Sequence, residues 1–301
     1  MNFSDMLKEK GIDQQRVLVL RNRPSEPKLN KNLPWLAIEK PELFQAYQQA
    51  HGGKLQGTMK AMIGGYVASF IGQHPGKATF VALYKIVSFK PLTDKQFWAI
   101  SANKALEGFG MKHWHAKEPD QSVLWFNLVR SDFYDHWRGK LIVNWPPPER
   151  SWWRRAHRNE FPLSAVLDEN ILDAEIDKWD EIELTWGELR VLPRRLKDAL
   201  SQWRGIYYIF DTYDGKGYVG SAYGKDNLFG RWRDYAASGH GGNRLLRKRE
   251  PKNFRFTILQ LVAQDMVKDE VIQLESCWKN RLHTREFGLI NKSTKHVLVR
   301  C

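Results

Sequence analysis

Two kinds of apolar pattern run along the chain. Residues 16–20 (RVLVL), 78–87 (ATFVALYKIV), 123–129 (VLWFNLV) and 140–145 (KLIVNW) are dense in β-branched and aromatic side chains, and each predicts a strand. Thr93-Asp94-Lys95-Gln96 has the form of a capping box and predicts a helix running to about Leu106. Pro146-Pro147-Pro148 ends the last strand, because three prolines remove ladder donors and force an extended path. Together these elements predict an α+β or β-barrel-like N-terminal domain.

A different order of elements follows Leu192-Pro193, where a helix-like stretch containing Trp186 stops. The boundary is therefore expected near Arg195, giving domains of residues 1–195 and 196–301. The second begins with a hairpin: residues 205–211 (GIYYIFD), then Asp214-Gly215, then residues 216–220 (KGYVG). Asp-Gly between strand-like runs is a two-residue turn signal. With that loop Tyr213 pairs with Lys216, Asp211 with Tyr218 and Tyr207 with Ala222. Tyr207 and Tyr218 then share a face. A one-residue slip would separate them.

Residues 228–238 predict a helix with the apolar stripe Phe229, Trp232 and Ala236, and with Arg231 and Tyr235 at i, i+4 on a neighbouring face. Residues 254–262 (FRFTILQLV) predict a strand, and a second helix covers residues 270 to about 282. Its apolar stripe is Val271, Leu274, Trp278 and Leu282, and Glu275 falls on it. A carboxylate there is costly unless it is paired or binds a metal.

Composition narrows the function classes. A chain of 301 residues with 42% hydrophobic and 27% charged residues is long enough for two cored domains and is neither disordered nor a membrane bundle. Two cysteines, Cys277 and Cys301, are too few for a disulfide framework or a thiolate metal cage. No apolar run approaches the ~20 residues that span a bilayer, and the first residues lack the pattern of a secretory signal, so a cytoplasmic location is expected.

Lys plus Arg (47) exceed Asp plus Glu (34) by 13, which favours a polyanionic partner. Residues 196–301 hold 19 basic and 11 acidic side chains, a surplus of 8, against 28 − 23 = 5 in the longer first part. Ten of the 13 tryptophans precede residue 196, so the two parts differ in character.

From residue 205 to about 291 the sequence resembles the GIY-YIG nuclease family. The resemblance is carried by Gly205-Ile206-Tyr207, Tyr218-Val219-Gly220, Arg231, Glu275 on a helix, and Asn291 in Gly288-Leu289-Ile290-Asn291. It covers somewhat under a third of the chain. It implies a small three-stranded antiparallel sheet flanked by helices and hydrolysis of a nucleic-acid phosphodiester with one divalent ion, Mg²⁺ or Mn²⁺. The products would carry a 5′-phosphate and a 3′-hydroxyl.

By the same resemblance Glu275 would ligate the metal, and Arg231 would hold the scissile phosphate. Tyr207, Tyr218 or Tyr235 would activate or position water, and Asn291 would orient backbone or substrate. Ser221 stands where the family's excision-repair branch carries a lysine, and Lys225 in the following loop is the nearest substitute.

Further nucleic-acid contacts are expected from the loop bearing His240, Asn243 and Arg244 and from Arg247, Lys248 and Arg249. Arg154 and Arg155, interleaved with Trp152 and Trp153, have the mix of cations and rings that grips phosphate and stacks on bases; an interdomain seam in which the tryptophans are core and the arginines snorkel is the competing assignment. The expected function is a metal-dependent DNA endonuclease acting on duplex DNA, with target choice by the N-terminal domain, in a restriction or defence setting. The aromatic strands of residues 78–145 could cradle a flipped or modified base. A non-catalytic nucleic-acid binder, or a nuclease of repair or of RNA, are the alternatives.

Overall fold

The computed structural model describes residues 1–112, 122–173 and 177–288. The protein is mixed α+β and divides into two compact units, Met1–Ala174 and Glu175–Cys301. In chain order the first unit contains α1 (Phe3–Glu9), β1 (Val17–Asn22), α2 (Pro27–Glu39), α3 (Pro41–Gln48), α4 (Gly53–Ala61), β2 (Tyr66–Ile71), β3 (Lys77–Leu92), α5 (Asp94–Ala99), α6 (Ser101–Gly108), β4 (Val123–Arg130), β5 (Leu141–Asn144), β6 (Trp153–Arg155) and β7 (Leu163–Val166). The strands form one seven-stranded sheet in the order β6-β1-β2-β3-β5-β7, with β4 on the later part of β3. β1 and β2 are parallel; the other pairs are antiparallel.

Three sequence expectations change here. β3 runs five residues past Val87, because its first part pairs with β2 and β5 and its second, from Tyr84 to Leu92, with β4. The capping box at Thr93 is present, with reciprocal bonds of 3.3 and 3.0 Å to Gln96, an arrangement worth about 1 kcal/mol. The helix it starts breaks at Ile100, which is extended, and the Asn103 amide covers the Phe97 carbonyl at 2.9 Å. Among the described residues the sheet also does not close into a barrel, since its end strands β6 and β7 do not pair with each other. Phe3 of α1, Phe70 and Phe80 of the sheet, and Phe133 make four edge-to-face pairs in the core, with centroids 5.2–6.0 Å apart, whereas Phe89 and Trp125 of the aromatic strands line a cleft of about 310 Å³.

The second unit contains β8 (Glu183–Thr185), α7 (Trp186–Leu189), α8 (Arg194–Gln202), β9 (Arg204–Asp211), β10 (Gly217–Ala222), α9 (Asn227–Ser238), β11 (Phe254–Val262) and α10 (Lys268–Arg281). Its sheet has the order β10-β9-β11-β8 and is antiparallel throughout, with four strands where three were expected. The boundary moves from residue 195 to residue 174 for the same reason. β8 pairs with β11, Ile182, Leu189 and Leu192 enter the second core, and the Trp186 indole donates to the Tyr235 carbonyl at 3.1 Å.

The β9–β10 register is shifted by two from the expected one: Tyr207 lies opposite Gly220, and Tyr218 opposite Ile209. The turn is wider because Arg249 holds Asp211 and Asp214 together, at 2.7 and 2.8 Å, and the Asp211 side chain accepts from the Tyr213 N–H. An even shift preserves faces. Tyr207 and Tyr218 therefore still point the same way, with ring centroids 6.4 Å apart.

Candidate active site

The alternation of β9 and β10 sorts the site residues onto two faces. Tyr207, Ile209, Tyr218 and Ala222 face α9, packing with Leu228, Trp232 and Tyr235. Ile206, Val219 and Ser221 face the other way, where Ile206 and Val219 pack against Val271, Leu274 and Trp278 of α10. β10 is the end strand of the sheet, so side chains from both faces meet around its edge. They do so in a cleft of about 550 Å³ whose lining includes Tyr207, Tyr218, Ser221, Lys225, Arg231 and Glu275. Gly220 is required at this edge: a Cβ there would lie 2.4 Å from the Tyr207 hydroxyl and 2.9 Å from the Tyr218 ring.

Arg231 organises one wall. Its Nε donates to the Tyr207 hydroxyl at 3.1 Å, one Nη to the Gly241 carbonyl at 3.1 Å and the other to the Tyr235 hydroxyl at 3.5 Å. Three of five donors are thereby used and two N–H groups remain. The Tyr207 and Tyr235 hydroxyls lie 3.1 Å apart. Burial works against the guanidinium charge, but the surrounding phenol oxygens outweigh it and Arg231 stays cationic.

The three tyrosines separate in role. Tyr207 and Tyr235 are fully buried, and burial pushes both phenols well above their ordinary value; the Tyr218 phenol adds to the rise in both and Arg231 opposes it. Tyr235 lies behind Tyr207, away from the cleft lining, and is covered by the glycine loop at Gly241. Tyr218 keeps 6% exposure at the rim. Neither buried phenol is a ready base at neutral pH, since each holds its proton more tightly than free tyrosine.

Glu275 reaches the cleft from α10 with its side chain 16% exposed. One oxygen accepts from the Ser221 hydroxyl and the other from the Lys279 ammonium, one helical turn on. The buried-stripe carboxylate is thus paired, with Lys279 as its partner and not with Arg231 or with Arg281, whose guanidinium lies 4.4 Å from the Trp278 ring. Among the described residues no three His, Cys, Asp or Glu side chains form a ready-made metal cage. The donor set suits a hard ion bound by one carboxylate, since each oxygen keeps a further lone pair and Mg²⁺ retains most of its waters.

The expected nucleic-acid contacts divide. Lys225 is exposed and lines the cleft; Arg244, Arg247 and Lys248 are exposed. His240 and Asn243 shape their own loop, accepting from the N–H groups of Gly242 and Leu245 at 3.0 and 2.9 Å. Arg249 is taken up by Asp211 and Asp214 and holds the hairpin. Arg154 and Arg155 lie on β6 beside β1, where Arg154 donates to the Pro146 and Pro148 carbonyls at 3.3 and 3.0 Å and Arg155 reaches the Met62 sulfur. Asn291 lies outside the described residues.

Ser221, Lys279 and Gly241 are the site's neighbours that sequence reasoning did not assign. For Lys279 the signal was available in its i, i+4 spacing from Glu275. No family model, curated protein or solved structure matches the chain.

Proposed function

We propose that this protein is a metal-dependent DNA endonuclease, hydrolysing phosphodiesters of duplex DNA to 5′-phosphate and 3′-hydroxyl ends. The observation that carries this is convergence: Tyr207, Tyr218, Arg231 and Glu275, from four separate elements, surround one cleft at the edge of β10. The phenols, a fixed guanidinium and a carboxylate match what phosphodiester attack needs, namely stabilisation of charge at the phosphate and a positioned water. The sequence resemblance to GIY-YIG nucleases supports the same chemistry.

Arg231 holds the scissile phosphate with its two remaining N–H groups, its plane fixed by Tyr207 and Gly241. Glu275 holds Mg²⁺ or Mn²⁺, which when bound supplies Lewis-acid stabilisation of the reacting phosphate. Tyr218, at the rim, positions water. Lys225, Arg244, Arg247 and Lys248 contact backbone phosphates, an interaction that weakens with salt. The first unit selects the target, and the setting is restriction-like defence in the cytoplasm.

Incubation of supercoiled plasmid with Mg²⁺, beside an EDTA control and Glu275→Ala, tests this. Nicking or linearisation lost in both controls is expected; cleavage that survives Glu275→Ala overturns the metal assignment. One observation favours a second reading, a nucleic-acid binder without turnover: both Glu275 oxygens are engaged by internal donors. Tight plasmid binding with no cleavage of modified or unmodified duplex in Mg²⁺ or Mn²⁺ would establish it.

A further inference from the structure

Resting on the metal reading of Glu275, we infer that Lys279 is a built-in competitor for the divalent ion, a resident cation whose charge opposes the metal at the same carboxylate. An exposed i, i+4 Glu–Lys pair on a helix is ordinarily a weak, solvent-screened contact. This one differs in three respects. Both side chains are only 16% exposed. The other carboxylate oxygen is held by Ser221 from β10, so the pair is fixed from the strand as well as from the helix. Its carboxylate opens on the same cleft as Arg231, Tyr207 and Tyr218.

A carboxylate tied to an ammonium is a poorer ligand for a second cation. A divalent ion on Glu275 would share that group with the Lys279 charge, and the two cations repel. Ser221 donates a neutral hydroxyl and imposes no such penalty, and Lys225 and Arg231 line the cleft without an ion pair to Glu275, so the competition at the carboxylate itself is assigned to Lys279. Arg281, the next cation on α10, is stacked on Trp278 and takes no part. Ion loading thus proceeds against the Lys279 charge, which raises the concentration at which it happens.

Mn²⁺ binding to the full chain, read from the electron paramagnetic resonance of free Mn²⁺ without DNA, tests this apart from activity. Repulsion between an ammonium and a divalent ion some 5 Å apart amounts to about tenfold in affinity even at the dielectric of water. Lys279→Gln and Lys279→Met, the second keeping an apolar stem, should therefore each bind Mn²⁺ about tenfold tighter than the unaltered protein, while Lys279→Arg should stay within about twofold. Circular dichroism identifies which variants fold.

If Glu275→Gln abolishes Mn²⁺ binding while both neutral Lys279 variants match the unaltered protein, the competitor role is overturned and the metal site stands. If Glu275→Gln binds Mn²⁺ as the unaltered protein does, the metal site at Glu275 falls and this inference falls with it.

Discussion

The Nε of Arg231 donates to the Tyr207 hydroxyl at 3.1 Å, so the cation facing the cleft is aimed by a phenol that is itself fully buried. A lysine at 231 would keep the charge and lose the fork that spans Tyr207, Gly241 and Tyr235. Arg231→Lys is expected to lower the single-turnover cleavage rate by about 10²–10³-fold, the effect of removing one preorganised donor from a reacting oxygen. Since charge is conserved, DNA affinity in a filter-binding assay should shift by less than about tenfold. Loss of affinity with an unchanged bound-state rate would move Arg231 from chemistry to docking.

The Gly241 carbonyl is the second anchor of Arg231, and only glycine fits there. Its φ is +53°, and a Cβ would lie 2.8 Å from the Tyr235 ring. Gly242, at φ +80°, has nothing within 4 Å of a built Cβ. Alanine at either position pays about 1–2 kcal/mol for the left-handed backbone, but only Gly241→Ala also displaces the carbonyl that holds the guanidinium. Gly241→Ala should slow cleavage by about tenfold or more while Gly242→Ala stays within about threefold. Equal losses in the two variants would show that the loop acts through stability alone.

Arg249 bonds Asp211 and Asp214 at 2.7 and 2.8 Å, and Asp211 is 2% exposed. Removing the guanidinium leaves a buried carboxylate without its cation, which destabilises by about 2–4 kcal/mol where the site is partly solvated. Arg249→Ala should therefore lower the urea midpoint clearly and leave the salt slope of DNA binding unchanged. For Lys248→Ala the opposite is expected: an unchanged midpoint and a salt slope smaller by about one phosphate contact. Exchange of these two phenotypes would return Arg249 to the DNA-facing surface.

What the sequence made legible was periodicity and spacing. β11 begins and ends where its β-branched run does, and α9 and α10 lie within two residues of their expected starts. Tyr207 and Tyr218 share a face despite a register two residues from the expected one, because faces depend on parity and not on loop length. The wider turn was hidden, since it is set by Arg249, distant in sequence from the Asp-Gly pair. The boundary was misplaced because β8 has only three residues, too short to carry a period, and owes its existence to pairing with β11. Tyr235 looked equivalent to the other tyrosines until the glycine loop covered it. That burial is tertiary and leaves no local pattern.

In the first unit His51 is 8% exposed, its ring 5.7 Å from that of Trp152, and its Nε2 has no hydrogen-bond partner. Burial lowers its pKa from 6.5 to about 4, opposed in part by a backbone hydrogen bond at Gln48. The folded protein therefore keeps His51 neutral at pH values where the unfolded chain protonates it. Between pH 6.5 and 4 the unfolded state binds more protons, so this contribution is fully present above pH 6.5 and is lost progressively as pH falls toward 4. A shift of this size amounts to at most about 3 kcal/mol. His51→Phe should flatten the acid limb of the stability profile, measured by urea unfolding followed by tryptophan fluorescence at pH 7 and near pH 4.5. If the variant and the unaltered protein lose stability in parallel over that interval, the acid sensitivity belongs to other groups.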